Sequence, residues 1–256
     1  MLEKQKTLPG ALTFVIIGIT VLNAVSTSSS SGIREKRSLT SPCGGCPSNL
    51  LNAAEKTDIL NYHNQARTMV QPPAENMLQM MWDSDLADCD GQEYINQCLF
   101  SHGHSSLIDT CSTDINTQAI GQNLYVYCST SNIQPANLTG RAVEYWFSEK
   151  EDYTYDTNTC ASQRICGHYT QVAWANSFRL GCAYSACQSD QSPCGEDFPY
   201  YWILVCNYYP AGNYQGQKPY ISGVPCSACP TNMHLENPCN NGLCVTETEC
   251  EVNGGC

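Results

Sequence analysis

The chain has 256 residues, with 24 acidic against 12 basic side chains, a formal charge of −12, and 18 cysteines. That balance repels nucleic acid and anionic membrane surfaces, and leaves cations, a basic partner or plain solubility as its meaning. So dense and even a cysteine set behind an apolar leader belongs to an oxidising compartment, where thiols act as staples rather than catalytic groups.

The leader comes first. Lys4 and Lys6 precede an apolar stretch over 12–25 that includes Phe14-Val15-Ile16-Ile17. Its length and flank predict a signal peptide over 1–26, and it is short for a membrane span. A hydroxyl-rich run from Ser26 to Ser31 follows, then Arg34-Glu35-Lys36-Arg37, which reads as a dibasic cleavage site closing a propeptide over 27–37. A signal anchor with a charged stop is the alternative. Cleavage after Arg37 leaves 7 basic and 22 acidic residues, a formal charge of −15, and keeps every cysteine from Cys43 to Cys256. The rest divides into a cysteine-containing segment over 38–52, a main domain over 53–220 and a cysteine-rich tail over 221–256. The main domain carries large aromatic anchors (Trp82, Phe100, Trp146, Trp174, Trp202) and is long enough for a core. The tail holds six cysteines among Gly, Asn and Pro and must rely on crosslinks.

Within the main domain, Ile59, Tyr62/His63, Ala66 and Met69/Val70 recur at three- and four-residue spacing, predicting a helix over 53–70 that Pro72-Pro73 ends. Trp82-Asp83-Ser84 opens a second predicted helix with Ser84 as N-cap and Ala87, Tyr94/Ile95 and Cys98 on its inner face. His102 and His104 follow Cys98 closely. The stretch 121–127 has strand character, and Asn137-Leu138-Thr139 is an N-glycosylation sequon in a predicted loop. A third helix is predicted over 140–150, with Ala142/Val143, Trp146 and Glu149 along one side. His168 sits at the polar end of the apolar run Val172-Ala173-Trp174, in one or two helical turns whose packing can hold its ring still. Strands rich in β-formers are predicted over 179–186 and 200–208. Helices and strands are mixed along the chain, which predicts an α+β layered domain.

Two octapeptides, 167–174 (Gly-His-Tyr-Thr-Gln-Val-Ala-Trp) and 206–213 (Cys-Asn-Tyr-Tyr-Pro-Ala-Gly-Asn), closely resemble the two signatures of the CAP superfamily, whose members include cysteine-rich secretory proteins, venom allergens and plant pathogenesis-related proteins. Supporting matches are 63–67 (His-Asn-Gln-Ala-Arg), Met81-Trp82-Asp83, Cys98-x-Phe100-x-His102, 121–124 (Gly-Gln-Asn-Leu) and Trp146-x-x-Glu149. The resemblance covers roughly 53–220 and implies a three-layer α-β-α sandwich. It also implies a cavity lined by His102, His168, Glu149 and the residue at 122. That residue is Gln122, where most members have Glu, so one negative charge is missing. A similar Gln occurs in the branch of peptidase-inhibitor-like and LCCL-domain cysteine-rich secretory proteins, which the runs at 62–65, 72–77 and 223–230 also resemble. His102 and His168 are the candidate metal ligands, with Zn²⁺ weakly held as the candidate ion. Zn²⁺ usually wants a third protein ligand, and Glu149 is the available one. A hydrogen-bonded structural cluster of His102, Glu149 and His168 is the competing reading.

The resemblance further implies disulfides Cys98–Cys187 and Cys182–Cys206, and in the hinge-like tail Cys226–Cys239 and Cys229–Cys244. A bridge common in relatives would need cysteines where this chain has Ile120 and Tyr209. Cys250 and Cys256 are left to close a last loop. Cys43, Cys46, Cys89, Cys111, Cys128, Cys160, Cys166 and Cys194 have no pairing from sequence. The implied function is that of a secreted, extracellular glycoprotein that binds a lipid, a sterol or a protein partner such as a channel or protease; binding is favoured over catalysis because Gln122 weakens the only polar constellation and no activated nucleophile is apparent. The alternatives are a metal-assisted hydrolase using His102, Glu149 and His168, and a structural matrix component. Ser101 and Thr170 neighbour the histidines but read as ordinary hydrogen-bonding residues. The tail either stops fraying or offers the loop at Asn232-Met233-His234-Leu235 to a partner.

Overall fold

The computed structural model describes residues 46, 48–112, 114–230 and 239–245. The leader, the dibasic site, Cys43, the loop at 232–235, Cys250 and Cys256 lie outside these residues. Helix α1 (Ala53–Thr68) starts at a reciprocal cap. Asn52 Oδ1 accepts from the Glu55 N–H at 3.0 Å, and the Glu55 carboxylate accepts from the Asn52 N–H at 2.9 Å. Its buried face is Ile59, His63, Ala66 and Arg67.

A four-stranded sheet forms the middle layer, in the order β1 (Met81–Trp82), β5 (Arg179–Gln188), β6 (Tyr200–Tyr209), β2 (Gly121–Ser129). Only β1 and β5 run parallel. Because strand side chains alternate, each strand splits its residues between two faces. Leu180, Cys182, Tyr125, Trp202, Leu204, Cys206 and Tyr208 face α1, α4 (Leu138–Ser148) and α5 (Gly167–Val172). Leu124, Val126, Ala183, Tyr201, Ile203 and Val205 form a second cluster on the other face with Ile95. That face is covered by a π-helix (Asp85–Gln92) continued by α2 (Glu93–Ile95), with α3 (Leu107–Cys111) packed outside it. The architecture is thus α+β with helices on both sides of one sheet.

The second helix differs from its sequence expectation. It is a π-helix over most of its length, and Ser84 forms no side-chain cap bond. Asp83 does that work, its Oδ1 accepting from the N–H groups of Asp85 and Leu86, both at 3.0 Å. With i→i+5 bonding the period is longer than 3.6 residues, so the buried set is Asp85, Leu86, Ala87, Cys89, Asp90, Gly91 and Gln92 rather than one narrow stripe. Cys98, expected on the inner face, lies beyond the helix with φ of 58°.

Arg67 ties the layers at one end. Its fully buried guanidinium donates to the carbonyls of Leu78, Val172, Trp174 and Ala175 at 2.8–2.9 Å. Among the described residues, disulfides join Cys98–Cys187, Cys182–Cys206, Cys226–Cys239, Cys229–Cys244, Cys46–Cys89, Cys128–Cys194 and Cys160–Cys166. Cys111 is disulfide-bonded as well. Cys182 and Cys206 are register partners in β5 and β6, so their bridge spans neighbouring strands inside the core. Ile120 and Tyr209 share one apolar cluster. In the tail, the short hairpin β7 (Cys239–Asn240) and β8 (Leu243–Cys244) docks on the main domain: Cys244 N–H donates to the Met77 carbonyl at 2.7 Å, and its carbonyl accepts from Gln79 N–H at 2.8 Å. No helix among the described residues is long and apolar enough to cross a membrane.

Candidate two-imidazole cavity

The site forms where edge strand β2 begins, and successive residues there point to opposite faces of the sheet. Gln122 points to the π-helix side, level with its register partner Asn207 of β6. Asn123 points to the opposite side, where its amide donates to the His168 carbonyl at 3.1 Å and the Tyr208 hydroxyl at 3.2 Å. Each face thereby holds one imidazole.

His168 is the more rigid of the two. Glu149, the cap residue that ends α4, sends both oxygens to the start of α5. Oε1 accepts from His168 Nδ1 at 2.7 Å, and Oε2 accepts from the N–H groups of His168 and Tyr169 at 3.0 and 3.1 Å. The ring stacks on Trp146, with centroids 6.2 Å apart and planes within 15°. Trp146 is itself pinned by its Nε1–H to the Leu124 carbonyl at 3.2 Å. The carboxylate, filled by three donors, is an orienting group for the imidazole.

His102 is held by Gln122, whose Oε1 accepts from His102 Nδ1 at 3.0 Å. Burial pushes the His102 imidazolium below its usual range; the bond to Gln122 opposes this, and neighbouring His168 and His104 add to the depression. The ring therefore favours its neutral form. In both histidines Nδ1 is the donor, so in the neutral ring Nε2 holds the lone pair. A neutral imidazole whose other nitrogen is fixed by a hydrogen bond is the usual form of a metal-binding histidine.

The structure brings His102 to Gln122 and His168 to Glu149, and puts the two imidazoles close enough to influence each other. Ser101 pairs with Tyr94 and Thr170 Oγ1 with Asn213, so each hydroxyl has an ordinary partner. Gln122 Nε2 donates to the Gly103 carbonyl and to Asn207 Oδ1, making it a structural amide rather than a ligand. Two groups of three sulfurs lie within 4.8 Å of one another, Cys46/Cys89/Cys111 and Cys226/Cys229/Cys244, but all six are in disulfides and offer no thiolate. Sequence reasoning missed Asn207, Asp90 and Asn123 as support. Asn207 lies inside a quoted motif, and only the strand register reveals that it stands beside Gln122.

The profile of the cysteine-rich secretory protein family, CAP, matches residues 60–208. Bovine GLIPR1-like protein 1 is 38% identical over 185 residues, covering 72% of this chain and 70% of its own. This chain belongs to the CAP family. Bovine peptidase inhibitor 16 is also 38% identical, over 198 residues, and this CAP chain spans 77% of itself but only 38% of that longer protein. Among solved structures, NaASP2 with Zn²⁺ superposes with a TM-score of 0.58 at 26% identity, covering 78% of this chain and 100% of that one. The CAP assignment agrees with the sheet layered between helices.

Proposed function

We propose that this is a secreted CAP-domain binding protein, non-enzymatic, that engages an extracellular lipid, sterol or protein partner and carries a weak divalent-metal site at His102 and His168. The observation that carries this reading is that the cavity's carboxylate is consumed internally. Glu149 accepts three hydrogen bonds, so a water or substrate would have to compete with His168 to use it as a base. What the cavity offers is two Nε2 lone pairs. That donor set fits a divalent transition ion completed by water, and its two protein ligands fit weak binding. When bound, such an ion would supply Lewis acidity; the protein's part is to hold both rings correctly turned, each by its Nδ1. The relative solved with Zn²⁺ supports the ion's identity, and the relatives named peptidase inhibitors support an extracellular protein partner. The disulfides suit secretion. Asn137, exposed at the start of α4 with its Oδ1 capping the Gly140 N–H, is the proposed glycan site.

Zinc titration calorimetry of the secreted protein tests the site. Wild type is expected to bind about one equivalent weakly, and His102→Ala and His168→Ala each to lose it. Absence of binding at millimolar zinc, or uptake unchanged in both variants, contradicts the metal site and turns attention to the outer surfaces.

A further inference from the structure

Gln122 has only one possible amide orientation. Its Oε1 faces the Gly103 N–H at 3.2 Å as well as His102 Nδ1, while its Nε2 faces the Gly103 carbonyl at 2.7 Å and Asn207 Oδ1 at 3.0 Å. The backbone of Gly103 cannot exchange donor for acceptor, so it decides which end of the amide is oxygen. Asn207 is fixed independently. Its Nδ2 lies between two acceptors, the Leu86 carbonyl at 3.3 Å and Asp90 Oδ2 at 2.9 Å. Asp90, fully buried in the π-helix, also accepts from the Ser105 N–H on Oδ1 at 2.7 Å and pairs with His104 Nδ1 on Oδ2 at 2.8 Å. An unbroken chain therefore runs from His102 through Gln122, Asn207 and Asp90 to His104. Every member's polarity is dictated by its neighbours.

We infer that Gln122, Asn207 and Asp90 are one set of positioning residues that holds two imidazoles, His102 and His104, in the Nδ1–H tautomer with Nε2 left as the ligand-binding nitrogen. The His104 side chain is 25% exposed, and no described residue bonds its Nε2. The inference rests on the cavity reading only for its purpose, which is to offer lone pairs to a ligand. It also changes the meaning of Gln122. A glutamate there would set one carboxylate oxygen against the Gly103 carbonyl and Asn207 Oδ1, both acceptors, and could relieve the conflict only by taking a proton or by turning Asn207 against Asp90. Glutamine thus fits the chain behind it, and Gln122→Glu would not restore a usable negative charge here.

Long-range ¹H–¹⁵N correlation of histidine-labelled protein at pH 8, free of metal, tests this directly. Wild type is expected to show Nδ1–H with a lone-pair Nε2 at both His102 and His104; an Nε2–H tautomer at either overturns the inference without recourse to any variant. In Asp90→Asn, Oδ1 must keep the Ser105 N–H, so an amide donor faces His104 and that ring is expected to switch to Nε2–H. In Gln122→Met, His102 is expected to relax to a tautomer mixture. His63 and His168, held by the Ile59 carbonyl and by Glu149, serve as internal controls that a general loosening of the fold would also move. If His102 keeps a pure Nδ1–H state in Gln122→Met, the positioning role is wrong. Zinc uptake by Gln122→Glu no stronger than wild type is the matching expectation, and a tenfold tightening would overturn it. Correct tautomers without zinc uptake count against the metal site alone. Wrong tautomers with intact uptake count against the positioning chain alone.

Discussion

His63 shares no proton with water. In the core its Nδ1 meets the Ile59 carbonyl at 2.8 Å and its Nε2 meets the Tyr208 hydroxyl at 2.8 Å. Burial lowers its pKa from 6.5 to about 4; the bond to Ile59 opposes this and the charge of Arg67 adds to it. The folded state thus holds the ring neutral, while the unfolded chain protonates at the ordinary value. The contribution is fully present above about pH 6.5 and is lost as pH falls toward 4, on the order of 3 kcal/mol across that window. Urea unfolding at pH 7.5 and 4.5 is expected to show that loss in wild type and a much flatter response in His63→Gln. Equal slopes would contradict it. At this scale the sequence carried much of the site: His102, Gln122, Glu149 and His168 stand in recognisable motifs. It did not carry Asp90, because a helix read at a period of 3.6 gives no reason to bury an aspartate there. It offered no partner for His104, because that partner is the same buried Asp90.

The π-helix lies unusually close to the sheet, and Gly181 of β5 is what permits it. A Cβ at this position would come 2.3 Å from the Ala87 nitrogen and 2.5 Å from the Leu86 carbonyl carbon, backbone atoms that cannot swing away. Gly181→Ala is expected to cost about 3 kcal/mol and to displace the helix that carries Asp90. Gly167→Ala, whose Cβ meets nothing within 4 Å, is the matched control, and thermal melts of the two should separate clearly. Comparable melting temperatures would mean that this packing is looser than described. The strands were legible because their β-formers alternate or run continuously between helices, and α1 because its apolar spacing and its Pro-Pro stop agree. The helix type at Asp85–Gln92 escaped, since π and α registers share the same composition, and so did the short β1 and α3.

At the scale of the molecule, two kinds of crosslink divide the labour. Cys182–Cys206 is wholly buried between paired strands, whereas Cys226–Cys239 lies at the surface of the tail. Access governs thiol exchange, so mild reduction followed by alkylation and peptide mapping is expected to open Cys226–Cys239 well before Cys182–Cys206; the reverse order would place the tail deeper than its packing indicates. The tail hairpin nonetheless buries Leu243 and Cys244 against the main domain, which favours its reading as a clamp on the segment at 77–79. Pairings such as Cys46–Cys89 and Cys128–Cys194 were beyond the sequence because they join a segment end or a loop to an element whose approach only the fold defines. The proposed metal site needs an Nε2 lone pair on both His102 and His168 and a Glu149 carboxylate that stays on His168. Crystals grown at pH 8 and soaked in zinc test this most directly by anomalous scattering. A single peak is expected, bonded to Nε2 of His102 and of His168, with Glu149 still bound to Nδ1 of His168. A peak ligated by Glu149 after it has released His168, or zinc found only on surface carboxylates, would contradict it.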